Sequence, residues 1–151
     1  MRTDEYFMGK ALYQAQKAYA KQEVPVGCVL VKDGKIIASA FNQRETKQSS
    51  LAHAEMLAIA KASKKLKTWV LEDVTMYVTL EPCLMCTGAI FQARIKKVVY
   101  GAKEPKFGVL GSLLDLSKET RFNHKIEVSQ GLYQEEIAKL MKSFFKKLRQ
   151  Q

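Results

Sequence analysis

Lys32-Asp33-Gly34-Lys35 separates two apolar, β-branched runs, Val26 to Val31 and Ile36 to Phe41. Asp-Gly is a preferred pair for a two-residue hairpin turn, whose central positions need backbone angles that glycine adopts freely and aspartate tolerates. The chain is thereby committed to an antiparallel hairpin near its start, and its remaining elements must be compatible with a sheet. Helical and extended patterns then alternate. Ala52 to Lys67 runs in helical spacing through Met56, Ile59, Ala60 and Ser63, fed by a polar loop over Asn42 to Leu51. Thr75 to Leu80 reads as a buried strand, Pro82 marks the start of a third helix, Val98 to Tyr100 is a further strand, and Ile126 to Val128 a fifth. A first helix over 3–22 shows Met8, Leu12, Ala15 and Tyr19 on one face, with Thr3 or Asp4 as its N-cap. A closing helix from Gln134 shows Ile137, Leu140, Met141, Phe144 and Leu148. A hairpin followed by alternating helices and strands implies an α/β chain, with a mixed sheet covered by helices on both faces. No repeat, linker or low-complexity tract interrupts the 151 residues, so one domain over 1–151 is expected.

His53-Ala54-Glu55 opens the second helix, and Pro82-Cys83-Leu84-Met85-Cys86 lies thirty residues further on, where a strand meets the third helix. One histidine and two cysteines make three zinc ligands, and three protein ligands leave the fourth tetrahedral position open, as in catalytic sites. A structural zinc site would need a fourth ligand; the other candidates are Cys28, inside an apolar strand, and His124. A redox C-x-x-C is the remaining competitor, but it has no need of a His-x-Glu upstream. Cys83 and Cys86 are three apart, so in a first helical turn their thiolates emerge on one side, where the helix N-terminus lowers their pKa values. His53 and Glu55 are two apart, which in a regular helix would separate them by about 200°. His53 therefore has to sit at the start of the helix, with the Glu55 carboxylate lining the adjoining pocket as a proton carrier. His-x-Glu paired with Pro-Cys-x-x-Cys is a known signature of zinc nucleobase deaminases, and deamination is inferred from that signature rather than from spacing. The motif alone leaves cytosine, adenine and guanine compounds open as substrates.

The charge balance narrows the partner. There are 25 Lys and Arg against 15 Asp and Glu, a formal +10, with a sequence pI of about 9.5. Such a balance favours a polyanion such as nucleic acid, the alternative being a merely basic protein. Three cysteines cannot all pair, and the beginning of the chain carries no apolar signal region. No apolar run approaches the roughly 18 residues of a membrane span. A soluble cytoplasmic protein without membrane contact is expected.

Beyond the metal motif, the chain resembles the bacterial tRNA-specific adenosine deaminases from Tyr6 to Arg149. The stretches that carry the resemblance are Glu23-Val24-Pro25-Val26-Gly27, Asn42, Ala52-His53-Ala54-Glu55, Thr79-Leu80-Glu81-Pro82-Cys83 with Met85-Cys86, Val99-Tyr100-Gly101-Ala102, Gly111-Ser112, Phe122-Asn123-His124 and Phe144-Phe145. The resemblance implies a cytidine-deaminase-like three-layer α/β/α sandwich around a five-stranded mixed sheet, and a homodimer. It implies conversion of the wobble adenosine of an arginine tRNA anticodon loop to inosine, by attack of zinc-bound hydroxide on adenine C6 with Glu55 as the proton shuttle. One Zn²⁺ per subunit would be held by His53, Cys83 and Cys86. Asn42 would hydrogen-bond the inserted nucleoside, and Ala54 would line its pocket. Around the anticodon stem-loop, Arg44, Lys106, Lys146 and Arg149 are candidates for phosphate, with Asn123, His124 and Phe145 as polar or stacking contacts. From the residues alone, Asn42 is a polar strand end, Phe144 a core residue and His124 a satisfied surface residue. The chain departs from the family at Ser49-Ser50-Leu51, where Asp-Pro-Thr is common, at Cys28, read as a buried thiol, and at Ile137, where Cys is common.

Overall fold

Asp33 (φ 51°) and Gly34 (φ 74°) form the two-residue turn that folds β1 (Gly27–Lys32) back onto β2 (Lys35–Phe41), pairing Lys32 with Lys35. The structure is a computed structural model and describes residues 2–151; Met1 lies outside the described residues. The remaining elements are α1 (Asp4–Ala20), α2 (Ala54–Leu66), β3 (Val74–Leu80), α3 (Leu84–Gln92), β4 (Lys97–Ala102), β5 (Glu127–Gln130) and α4 (Gln134–Arg149), with a 3₁₀ turn at Leu116–Lys118. The five strands form one sheet in the order β2-β1-β3-β4-β5. β1 pairs antiparallel with β2 and β3, whereas β3, β4 and β5 run parallel, so the sheet is mixed as expected.

Alternation along the strands sorts the core into two layers. Cys28, Leu30, Met76, Val78, Val98 and Tyr100 face α2 and α3, while Val29, Val31, Tyr77 and Val99 face Phe7, Met8 and Ala11 of α1. The Thr3 hydroxyl accepts the Tyr6 N–H at 3.3 Å and caps α1, with Asp4 and Glu5 in the first turn where the helix dipole favours acid. Two helical faces differ from the sequence reading. In α2 the buried residues are Ala54, Glu55, Ala58 and Ala62, whereas Met56, Ile59 and Ser63 are only half-buried and Ala60 is exposed. The helix turns its smallest side chains to the sheet, which brings its backbone close and carries Glu55 inward. In α4, Ile137 and Phe144 are buried as expected, but Leu148 is exposed.

Candidate active site

Three chain segments meet at the ends of β2 and β3. The metal-ligand candidates sit at the N-termini of two helices: His53 is the N-cap residue of α2, and Cys83 that of α3. Both have extended backbone, so neither obeys helical spacing. Cys83 is thus not in the first turn as the sequence reading had it; an N-cap side chain still faces the third helical residue, which is Cys86. The imidazole Nδ1 of His53 lies 3.8 Å from Cys83 Sγ and 3.5 Å from Cys86 Sγ. All three ligand atoms lie within 4.8 Å of one another. A tetrahedral zinc with Zn–S of about 2.3 Å and Zn–N of about 2.0–2.1 Å has an N···S edge of about 3.5 Å, so the donor set fits that ion in type and spacing.

The electrostatics point the same way. A hydrogen bond from Cys86 holds the Cys83 thiol down at about 4 against its burial, with His53 assisting. That shared proton, together with burial and the nearby Glu55, pushes Cys86 up. The hydrogen bond to Cys83 also raises His53 against its burial. The two thiols behave as one pair with one proton between them, which a divalent cation would replace. Burial pushes the Glu55 carboxyl up to about 7, with the charge of Cys83 adding to the effect. That value suits a group that both takes and returns a proton near neutral pH.

These groups open onto a cavity of about 450 Å³, within the range of small-molecule sites. His53, Ala54, Glu55 and Cys83 share it with Asn42, Arg44 and Phe145, all of which the sequence analysis had singled out. Asn42 is held from both ends of its amide: Nδ2 donates to the Val24 carbonyl at 3.3 Å, and Oδ1 accepts the Arg44 N–H at 3.2 Å. One amide proton and one lone pair stay available to a ligand. Ser49 supplies the turn expected of a proline in the preceding loop, since its Oγ accepts the Leu51 N–H and its carbonyl accepts the Ala52 N–H.

The other site candidates lie elsewhere. Arg149 lines a neighbouring hollow with Lys103, Lys142 and Lys146, and Phe145 is common to both hollows. Lys106 is exposed on the loop after β4, between Glu104 and Phe107, which do reach the cavity. Asn123 and His124 line a different hollow beside Phe91 and Phe122, and His124 Nε2 lies 2.7 Å from the Ile95 carbonyl oxygen. Sequence reasoning missed Val24, Val26, Leu80, Glu81, Glu104, Phe107 and Met141 as lining residues. Val24, Val26, Leu80 and Glu81 lie in stretches that carry the family resemblance, and Glu81 carried a chemical signal besides, an acid closing an apolar strand, which must find donors if buried.

The zinc-binding region of the cytidine and deoxycytidylate deaminases matches residues 1–102 of this chain. The tRNA-specific adenosine deaminase of Bacillus subtilis is 53% identical over 149 residues, covering 99% of this chain and 92% of that protein. A solved structure from work on A-to-I editing by tRNA:A34 deaminases at the wobble position of transfer RNA superposes with a TM-score of 0.86. It is 39% identical, over 89% of this chain and 98% of that one. The guanine deaminase of Bacillus subtilis gives a TM-score of 0.66 and 43% identity, over 68% of this chain and 66% of that one. Metal ligands, sheet order and near-full-length similarity agree: the chain belongs to the tRNA-specific adenosine deaminases, within the cytidine and deoxycytidylate deaminase family.

Proposed function

We propose that this protein hydrolyses the wobble adenosine of an arginine tRNA anticodon loop to inosine, with zinc resident at His53, Cys83 and Cys86. The observation that carries the reading is the buried Glu55 carboxylate beside that ligand set, in a cavity with room for one nucleoside. When bound, zinc supplies a Lewis acid that brings the pKa of water to about 7. Glu55 handles the protons. Its carboxylate takes one from water, gives it to N1 of adenine as C6 becomes tetrahedral, and then transfers the second to the departing amine, so that adenosine and water become inosine and ammonia. Asn42 orients the nucleoside with its free amide proton and lone pair, and Ala54 and Val26 exclude bulk water from the base. Phe107 and Phe145, both exposed at the mouth, offer stacking surfaces to the nucleotides flanking a base turned out of the loop.

The protein is expected to convert a synthetic anticodon stem-loop to inosine at the wobble position, read by sequencing. The second reading, deamination of a free purine, has the likeness to guanine deaminase in its favour. Efficient turnover of free guanine with the stem-loop untouched would establish that reading instead. The +10 charge argues for the polyanion. We also infer a homodimer acting in the cytoplasm, where tRNA is decoded. Leu84 and Phe122 are exposed and converge with Phe91 and Leu116 on one hollow, an apolar patch suited to a second copy. Sedimentation should return twice the chain mass. Among the described residues no helix is long and apolar enough to cross a membrane.

A further inference from the structure

Glu81 is 3% exposed and lies between the end of β3 and the turn that presents Cys83. Its carboxylate takes no part in the proton transfers of deamination, yet four donors converge on it. The Glu104 N–H reaches Oε1 at 3.1 Å, the Leu110 and Ser112 N–H groups each reach Oε2 at 3.0 Å, and the Ser112 hydroxyl also donates to Oε1. Among the described residues no basic side chain lies within 4.0 Å, so backbone and one hydroxyl balance the charge. All four donors belong to one segment, 104–112, and that segment carries Glu104 and Phe107 into the wall of the cavity. A further bond ties the segment to the same turn, the Val109 N–H donating to the Pro82 carbonyl, while the Glu81 N–H donates to the Ala102 carbonyl at the end of β4. Gly108 closes around the carboxylate so tightly that a Cβ there would stand 2.3 Å from the Glu81 carboxyl carbon and 2.5 Å from Oε2.

Burying a carboxylate costs several kcal/mol, so a site with no catalytic use for it needs another reason to keep it. The donors supply that reason. Four of them need an acceptor-only group; a glutamine amide would turn its NH₂ against at least one N–H. We infer that Glu81 is a positioning residue for substrate. Through Glu81-Pro82-Cys83 it fixes the Glu104–Phe107 wall relative to the metal ligands, so that wall and reacting centre hold one spacing. The inference rests on the deaminase reading.

The test compares wild type, Glu81→Gln, Gly108→Ala and Ser112→Ala as zinc-loaded full-length proteins on the anticodon stem-loop, with zinc content measured for each. Gly108 does not occupy the left-handed region, so alanine there acts by pushing on the carboxylate and not by straining its own backbone. A hydrogen bond to a charged group is worth about 1.5–3 kcal/mol, so Glu81→Gln should raise KM about tenfold or more. Its kcat should change by less than about threefold, with one zinc per chain retained. Gly108→Ala should give the same signature and Ser112→Ala a weaker one. The double variant Glu81→Gln/Gly108→Ala should be no worse than the poorer single, because both break one anchor. Amide exchange at Leu110 and Ser112 should quicken. An unchanged KM, loss of zinc, a fall confined to kcat, or additive effects would each overturn the inference. Should Glu81→Gln not fold, the Gly108 and Ser112 variants decide by the same criteria. A wild type that forms no inosine would remove the deaminase reading itself, and the role of Glu81 with it.

Discussion

His53 and Glu55 stand two residues apart yet serve one cavity, because they belong to different backbone conformations. His53 ends the extended segment before α2 at φ −74° and ψ 151°, and Glu55 lies in the first helical turn. In a continuous helix the pair would diverge by about 200°; the break at the N-cap lets the imidazole face two thiols while the carboxylate, hydrogen-bonded to Cys86, stays outside the ligand group.

That separation predicts that Glu55→Gln keeps its zinc and its melting temperature within a few degrees but loses about 10²- to 10⁴-fold in inosine formation. Elemental analysis of the variant beside a turnover assay checks it. Loss of metal along with activity would make Glu55 a ligand instead, full activity would remove it from the proton transfers, and RNA binding by wild type and variant alike with no inosine from either would make the protein an RNA-binding module with structural zinc.

Removing the metal should affect stability as well as turnover. The ligands come from the starts of α2 and α3, which have no side-chain cap of their own, so the ion ties two helix ends together. At a thousandfold excess of zinc over its Kd the linkage amounts to about 4 kcal/mol, on the order of 10 °C in Tm for a domain of this size. Calorimetry with and without chelator measures it. Cys86→Ser should melt like the chelated protein and be insensitive to added zinc.

The sheet and the metal site were legible in the sequence because each rests on local chemistry. Asp33-Gly34 announces its own turn, and three soft ligands with one position left open announce a catalytic ion. The face of α2 was not, since Ala54, Ala58 and Ala62 give a weak apolar signal beside Met56 and Ile59, and only the packed sheet decides between the two. Most of the cavity wall escaped as well. Phe107, Glu104 and Met141 come from a loop and a helix far along the chain, and no spacing rule connects them to His53. Asn123 and His124, singled out through the family resemblance as contacts for the stem-loop, line a separate hollow from the one holding Glu55, a placement set by the fold and by no spacing to the metal motif.

Glu23, 1% exposed, gives a pH-dependent prediction away from the metal. Burial pushes its carboxyl up, but the Thr46 hydroxyl, the Thr46 N–H and the Glu45 N–H outweigh that, so its pKa lies below the usual glutamate value. A depressed folded-state pKa means stability that is present above the unfolded value of about 4.3 and lost as pH falls through the folded one. Glu23→Gln should therefore be destabilised by about 1–3 kcal/mol at pH 7, with the gap from wild type narrowing below about pH 4. Urea unfolding across pH 3–7 reads this directly. A gap that stays constant down to pH 3 would mean the ionised clamp is not what holds the 43–49 loop.

In the hollow beside the cavity, Lys103, Lys142, Lys146 and Arg149 gather around Phe145. A flexible loop crossing from the cavity mouth over Phe145 would lay its phosphates against these four cations. Each phosphate neutralised releases counterions and contributes about −0.7 to the slope of log K against log salt for a single strand. Lys146→Ala/Arg149→Ala should thus flatten the slope for the anticodon stem-loop by about 1.4 and weaken binding most at low salt. Neither residue reaches the catalytic cavity, so kcat at saturating RNA should hold within about twofold. Binding titrations from 50 to 300 mM salt decide the matter. A variant with the wild-type slope would put the RNA backbone on another face of the molecule.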